Sequence, residues 1–574
     1  MQNQKMENIL NLALEATPEE LERSETLSIG YDPAEKMWEV IVKHSQPLRG
    51  LEQMGVRQVE LLNQYSILTV PESKLEEISR LHQVEYIEKP KRLYFSVGVG
   101  KTASCITYVQ AEGSSYGPYL TGRGCLVAVI DSGIDYFHDD FRNEDGSTRI
   151  AELWDQTLDR IFTEQEINEA LKQGSRREAR AIVPSVDGSG HGTAVAGIAA
   201  GNGRGSQSQS QYRGVAFESR LLVVKLGRTD PLGFPRTTEL MKALDYVVRR
   251  AAELGMPVSV NVSIGNTYGS HDGTSLLETY IDGISNYGRN VIVIGSGNEA
   301  RSGGHASGVL TMGNAVNVEL SVAPYESGIS VQLWKRYVDE FSITLVTPSG
   351  NILGPLPPVI GPQTYDYEST RILLYYGEPG PYSKAQEIYF DFIPLHRDYL
   401  QSGIWVFHLT PRKIIQGNYD FWLPSSTVLN SSTYFLQSTP DTTLTIPSTA
   451  AMAITVGAYN SNYQTYADFS GRGFTRVTNQ VKPDIAAPGV GIMAPKSGGG
   501  YEAVTGTSFA APFVTGSGAL LMQWGIVDGR DEFLYGEKLK AYLMRGARQI
   551  PGYEAWPNPQ LGWGTLCVRE SLPI

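Results

Sequence analysis

Cysteine is scarce in this sequence, which holds only Cys105, Cys125 and Cys567 in 574 residues. The three are odd in number, far apart and without the spacing of metal ligands. The sequence therefore predicts neither a disulfide framework nor a zinc site. We expect all three cysteines to be buried as small hydrophobic side chains.

Excess positive charge is also lacking, because 48 basic residues stand against 61 acidic ones and the net charge is −13. This balance argues against nucleic acid as the main partner. We find no run of 18 or more apolar residues, so no membrane partner is expected. The first residues, MQNQKMENILNLALEATPEELER, lack the basic start and continuous apolar stretch of a secretory signal. We therefore expect a protein made in the cytoplasm.

A chain of 574 residues is longer than one hydrophobic core usually supports, so several domains are expected. In residues 1–96, the alternating runs MWEVIVKH and VEYIE flank the helical stretch PESKLEEISRLH, which predicts a small α+β domain. The stretch KPKRLYFSVGVGKTAS then interrupts the periodic pattern. It is typical of a linker or cleavage zone.

The rest of the chain shows two further patterns. Apolar β-branched runs such as CLVAVID and VIVIGSG alternate with helical segments in residues 97–307 and again in residues 446–574. Strands buried on both faces and separated by helices predict an α/β domain with a parallel sheet. Between them, residues 308–445 alternate apolar and polar positions between turn residues, which predicts an inserted β-sandwich or jelly roll.

Four polar residues stand where acyl transfer by a serine would need them. That chemistry requires a nucleophile, a base, a carboxylate that orients the base, and donors for the oxyanion. Asp131 ends the strand of VAVIDSGID, His191 begins the small-residue helix of HGTAVAG, and Ser508 begins that of GTSFAAP. Asn298, in GSGNEA, can offer a side-chain amide. Each residue alone also fits a turn or a helix cap; the ordered set predicts the site.

These four motifs, in this order, resemble those of the subtilase family over about residues 115–305 and 446–570. The resemblance implies a serine endopeptidase that needs no cofactor and acts on protein or peptide substrates. It also implies that the segment Ser263-Ile264-Gly265 pairs with an extended substrate and lines the pocket for the residue before the cut.

A narrower resemblance is carried by ELWDQT, FTEQEINEAL, RTTELMKALDYV, KPDIAAPGV and LGWGTLCVRESL, which are similar to segments of the Csp germination proteases of clostridial spores. Residues 1–96 resemble the subtilase propeptide, a chaperone and inhibitor that the enzyme cuts, and the position of VEYIEKPKRLYF implies a cut near residues 94–104. The Csp resemblance implies that the propeptide stays bound. It also implies limited proteolysis of a spore-cortex-lytic hydrolase precursor, and packaging in the spore. Some Csp relatives have lost residues of the Asp, His and Ser set, all three of which this chain keeps. The alternative is therefore a propeptide-blocked or pseudoprotease scaffold or sensor that acts by protein binding.

Three other features suggest different chemistry. His138 follows Asp131 by seven residues, but we expect it to be structural. The stretch VGVGKT resembles the end of a nucleotide-binding loop, which would require glycine where Phe95 stands. A group of carboxylates could bind calcium, yet their spacing is not that of a calcium loop, so we expect a solvated acidic face and no metal. Those carboxylates are Asp139, Asp140, Glu144 and Asp145.

Overall fold

The computed structural model describes residues 5–6, 8–15, 30–61, 64–88, 96–111, 119–206, 211–227, 235–379, 383–395 and 399–573. The chain forms two compact units, Met1–Tyr94 and Phe95–Ile574. Residues 89–95, with the start of the predicted cleavage zone, lie outside the described residues. The second unit does not divide further, so the boundaries predicted inside it stay predictions.

The first unit is an antiparallel sheet with helices. Its strands follow the order β1-β2-β4-β3, and β5 pairs with β2. Alternation in β2 buries Trp38, Val40 and Val42 against Leu68 and Val70 of β4, which gives the unit its own core. The elements are α1 Asn8–Glu15, β1 Tyr31–Asp32, β2 Met37–His44, β3 Arg57–Leu61, β4 Tyr65–Pro71, α2 Leu75–Ser79 and β5 Val84–Glu88, with 3₁₀ turns at Leu51–Met54 and Glu72–Lys74.

The second unit begins with two short helices, α3 Ser96–Ala103 and α4 Ile106–Gln110. Cys105 lies between them and forms a disulfide with Cys567, with a Cα–Cα distance of 4.8 Å. The prediction of unpaired cysteines was therefore wrong for these two, because 462 residues of separation in sequence says nothing about distance in the fold. Cys125 is buried and free, as expected.

The first α/β segment supplies the strands and helices that carry most of the candidate site. Strands β6, β10 and β11 are buried at every position, which explains their continuous apolar runs. The elements are β6 Leu126–Asp131, β7 Ile150–Asp155, β8 Arg160–Thr163, α5 Glu164–Leu171, α6 Arg176–Ile182, α7 His191–Ala200, β9 Arg220–Lys225, α8 Thr237–Glu253, β10 Val258–Val262, α9 Leu276–Ile284 and β11 Asn290–Gly295.

Two antiparallel sheets follow, with the orders β12-β21-β14-β19-β18-β17 and β16-β15-β20-β13-β22. Alternating residues of both sheets share one hydrophobic core, among them Leu333, Phe390 and Phe407. The all-β segment is thus a pair of packed sheets, and its jelly-roll topology stays a prediction. The strands are β12 His305–Val309, β13 Val316–Val322, β14 Ile329–Arg336, β15 Glu340–Val346, β16 Ile352–Leu356, β17 Gly361–Tyr367, β18 Thr370–Tyr376, β19 Ala385–Pro394, β20 Gly403–Lys413, β21 Asn418–Trp422 and β22 Tyr434–Phe435.

The last segment returns to the α/β sheet. The full sheet has the order β24-β23-β11-β10-β6-β9-β7-β8, with β25 beside β23. Its central pairs are parallel, while β24 and the edge strand β8 run antiparallel to their neighbours. The elements are β23 Ile454–Asn460, β24 Thr465–Tyr466, β25 Ile485–Pro488, β26 Ile492–Pro495, β27 Tyr501–Val504, α10 Thr507–Met522, α11 Gly536–Arg545 and α12 Val568–Ser571.

Helix α10 runs through the core of this unit. A Cβ at Gly516 would lie 2.7 Å from the carbonyl of Ala199, so small residues let α10 and α7 approach closely. Continued to Val527, it is the one helix among the described residues with the length and hydropathy of a membrane span. Its most apolar stretch is 89% buried inside the molecule, which is also what a central core helix shows.

Candidate active site

Asp131 and His191 are joined at the carboxyl edge of the parallel sheet. Asp131 is the last residue of β6, and His191 is the first residue of α7. His191 Nδ1 lies 2.7 Å from Asp131 Oδ1, and Asp131 is only 2% exposed. The charge of Asp131 raises the pKa of His191 above its usual value, although burial acts to lower it. This arrangement fixes one ring nitrogen and leaves Nε2 to act as a base.

Asp187 supports the start of α7 and was missed by the sequence analysis. Its carboxylate accepts hydrogen bonds from Gly190 N at 2.9 Å, Thr193 N at 2.9 Å and Ser132 Oγ at 2.9 Å. Burial alone would raise the pKa of Asp187, but these hydrogen bonds outweigh it and lower the pKa. Its charge adds to the raised pKa of His191. The only sequence signal was an acidic residue four positions before the histidine, which is common in turns.

Ser508 lies in the first turn of α10. Gly506, with φ of 152°, allows the abrupt backbone turn that precedes the helix. The Ser508 hydroxyl donates to the carbonyl of Ser263 at 3.2 Å, and Ser263 Oγ donates to the carbonyl of Ser508 at 3.0 Å. No hydrogen bond joins Ser508 to His191, both of which are described residues. The His191 ring packs against Phe509 instead, with centroids 5.2 Å apart.

Asn298 follows β11 and is tied to the helix that carries Ser508. Its Oδ1 accepts from Thr507 N at 3.0 Å and from Thr507 Oγ1 at 3.1 Å. Because the backbone N–H can only donate, these contacts assign the amide oxygen and leave Nδ2 on the opposite side. A Cβ at Gly506 would lie 3.6 Å from Nδ2. Nδ2 thus lies close to Gly506, and both residues line one cavity.

The segment Ser263-Ile264-Gly265 continues from β10 and presents a free edge. Gly265 packs so tightly that a Cβ there would lie 2.7 Å from Thr445 Oγ1. Asn266 pairs with Ile446 through both backbone groups, at 2.9 and 2.8 Å. Within the described part of the chain, the backbone N–H groups of Ile264 and Gly265 donate to no other residue. This edge could accept an extended peptide as an added strand.

Two other side chains that the sequence singled out, His138 and Asp140, are held in other interactions. His138 Nε2 bonds the carbonyl of Gly500 at 3.0 Å, and its Nδ1 accepts from Asp140 N at 3.2 Å, so this ring is not directed at the serine. The expectation of a solvated acidic face is wrong for Asp140, which is buried and accepts from Gly205 N and the Tyr501 hydroxyl at 2.9 and 2.6 Å. Among the described residues, no group of three or more histidine, cysteine or acidic side chains could hold a metal ion.

The chain matches two protein-family models. One, described as the Csp protease B prodomain, matches residues 4–91, and the other, the subtilase family, matches residues 122–379 and 417–564. The second match alone covers more than half of the chain. The gap between its two matched stretches, residues 380–416, falls within the β-sheet pair.

Among curated proteins, the PIII-type proteinase of Lactococcus lactis subsp. cremoris is 25% identical over 73% of this chain and 23% of its own length. The minor extracellular protease Vpr of Bacillus subtilis is 22% identical over 79% of this chain and 52% of its own length. The chain thus spans about a quarter and about half of these relatives. The solved CspB protease of Clostridium perfringens is 36% identical, with a TM-score of 0.76, covering 82% of this chain and 96% of that one. The chain therefore belongs to the subtilase family, with an N-terminal prodomain of the Csp type.

Proposed function

We propose that this protein is a serine endopeptidase in which Asp131, His191, Ser508 and Asn298 act together. The observation that carries the proposal is the 2.7 Å bond between His191 and the buried Asp131, beside a helix N-terminus that holds Ser508. A buried carboxylate on one ring nitrogen keeps the other free to accept a proton. The positive end of α10 and the amides of its first turn favour a negative charge at the serine.

The proposed reaction begins with rotation of the Ser508 hydroxyl away from the carbonyl of Ser263. His191 Nε2 then takes the hydroxyl proton as Ser508 Oγ attacks the substrate carbonyl, and Asp131 stabilises the imidazolium. Asn298 Nδ2 and the Ser508 N–H hold the oxyanion. His191 returns the proton to the leaving amine, and water releases the acyl group by the same steps in reverse. Ser263, Ile264 and Gly265 bind the substrate strand.

We also propose that the enzyme removes its own prodomain. The match of residues 4–91 to the Csp protease B prodomain supports this. Residues Ser96–Ala103 form α3, in which a Cβ at Gly100 would meet Phe513 of α10 at 2.7 Å. A helix cannot pair with an edge strand, so the cut belongs at the N-terminal end of the 94–104 range. The prodomain would remain bound as an inhibitor, as the sequence resemblance implies.

The physiological role that we propose is limited proteolysis of a spore-cortex-lytic hydrolase precursor during germination, with the enzyme packaged in the spore. It is supported by the prodomain match and by the likeness to the CspB protease of Clostridium perfringens. The alternative is a scaffold that acts by protein binding. One observation favours that alternative: Ser508 bonds to Ser263 and not to His191.

A fluorophosphonate probe separates these two functions. An active serine displaces fluoride from the probe and becomes covalently labelled, whereas an unactivated serine does not react. We expect the probe to label Ser508 in the wild type and in the control variant Ser517→Ala, which changes a buried serine of the same helix. We expect no label on Ser508 in His191→Ala. Peptide mapping by mass spectrometry reads the labelled residue. An unlabelled wild type would favour the scaffold.

A further inference from the structure

A polar cavity of about 510 Å³ opens directly beside the proposed oxyanion donor. Its lining includes Asn298 and the Thr505-Gly506 turn that leads into α10. It also includes six of the residues 424–433, which connect β21 with β22 in the inserted sheet pair; we call this connection the insertion loop. The insertion thus reaches the proposed active site.

The residues that line the cavity indicate its side of the proposed cut. The segment Ser263-Ile264-Gly265, which would bind the acyl part of a substrate, does not line it. Gly265 and Gly297 both pack against the Thr445 side chain, and neither glycine lines the cavity, so we assign this flank of Asn298 to the acyl part and the cavity to the leaving group. An extended peptide that crosses the oxyanion site from this flank would therefore place its next one or two residues over the cavity.

The insertion loop is held in place by two buried carboxylates. Glu299, which follows Asn298 directly, accepts from Ser425 Oγ at 2.6 Å and from Ser426 N at 3.3 Å. Glu326, within the insertion, accepts from Asn430 N at 2.7 Å and from Thr433 Oγ1 at 2.6 Å. These hydrogen bonds fix both parts of the insertion loop, so the loop forms a well-defined part of the cavity lining.

Arg301 gives the cavity its charge, because it is the only ionisable side chain among the described residues that line it. Its Nη1 donates to Asp468 at 3.2 Å, but the two side chains are 67% and 70% exposed, so this ion pair is weak. In the described part of the chain, Nη2 and Nε of Arg301 donate to no residue. They can bind a carboxylate in the paired geometry that a guanidinium favours.

We infer that this cavity selects substrates with aspartate or glutamate at the first or second position after the cut, through Arg301. The inference rests on the proposed endopeptidase function and adds a substrate class to it. The surrounding Ser302, Ser426 and Asn430 side chains supply further polar contacts. Asp468 competes with the substrate carboxylate for Arg301.

The test is digestion of a proteome-derived peptide library, with cut positions read by mass spectrometry. Wild type should favour Asp or Glu over Asn or Gln in the first two positions after the cut by about three- to tenfold. Arg301→Gln should lose this preference, and Asp468→Asn should strengthen it. The control Arg371→Gln, which breaks another exposed ion pair, that of Arg371 in β18 with Asp366, should keep the wild-type preference. The Ser508→Ala variant measures background cleavage that does not depend on Ser508.

The outcomes separate this inference from the function beneath it. Cleavage that depends on Ser508 but shows no acidic preference would overturn the cavity assignment and leave the endopeptidase standing. An acidic preference that persists in Arg301→Gln would also overturn it. If the library stays uncut, or if Ser508→Ala cuts equally well, the proposed function fails and this inference fails with it.

Discussion

At the residue scale, the two ends of the Asn298 side chain can be tested separately. Its Oδ1 accepts from Thr507, while Nδ2, which donates to none of the described residues, is the end that we propose binds the oxyanion. We expect Asn298→Ala to lower kcat by about 10² to 10³, which is the effect of losing such a donor in subtilisin. Asn298→Asp keeps the acceptor for Thr507 but loses the donor, so it should be similarly impaired in a peptide-cleavage assay. Near-normal turnover in Asn298→Asp would limit this residue to a structural role.

The pH dependence of cleavage should report His191. Only its neutral form can accept the serine proton, so kcat/KM should fall as pH falls through the pKa of His191, which Asp131 raises. Asp131→Asn removes that charge, and the acid limb should therefore move to lower pH, while kcat falls by about 10⁴ as in other triads. The exposed Asp145→Asn is the control and should leave the profile unchanged. An acid limb that does not move in Asp131→Asn would contradict this assignment.

The disulfide is the clearest prediction at the scale of elements. It ties Cys105, between α3 and α4, to Cys567 at the start of α12, and Val568 N also donates to the carbonyl of Ser104 at 3.0 Å. We expect the double change Cys105→Ala, Cys567→Ala to lower the free energy of unfolding by about 2–5 kcal/mol. Denaturant unfolding with and without reductant measures this loss of free energy of unfolding.

The control for the disulfide is Cys125→Ala, which removes the buried free thiol. This variant should keep the response to reductant that wild type shows, whereas the double variant should show none. If wild type unfolds identically with and without reductant, the bond does not contribute to stability.

Some elements could be predicted from the sequence and others could not. Strands β6, β10 and β11 are buried on both faces, so their apolar runs showed a parallel sheet and placed Asp131 and Asn298 near its carboxyl edge. No sequence pattern indicated that Glu299 anchors the insertion loop. A single glutamate after Asn298 belongs to no periodic pattern, and its hydrogen-bond partners lie 126 and 127 residues away.

At the scale of the whole molecule, the order of the motifs along the chain predicted the family. The sequence did not predict which distant segments lie in contact. The order of Asp131, His191, Asn298 and Ser508 carried the family, which the comparisons confirm. The Cys105–Cys567 bond and the bond between Ser508 and Ser263 join distant segments, separated by 462 and 245 residues. Side-chain direction at such contacts depends on packing across the whole fold, and a local motif does not encode it.

Self-processing tests the central claim most directly, because it needs no knowledge of the natural substrate. Intact mass and N-terminal sequencing would compare wild type, Ser508→Ala and the control Ser517→Ala. We expect wild type and Ser517→Ala to be cut at the N-terminal end of the 94–104 range, and Ser508→Ala to stay whole. If all three remain full length, or if Ser508→Ala is cut at the same bond, the account of Ser508 as the nucleophile of a self-processing protease is contradicted.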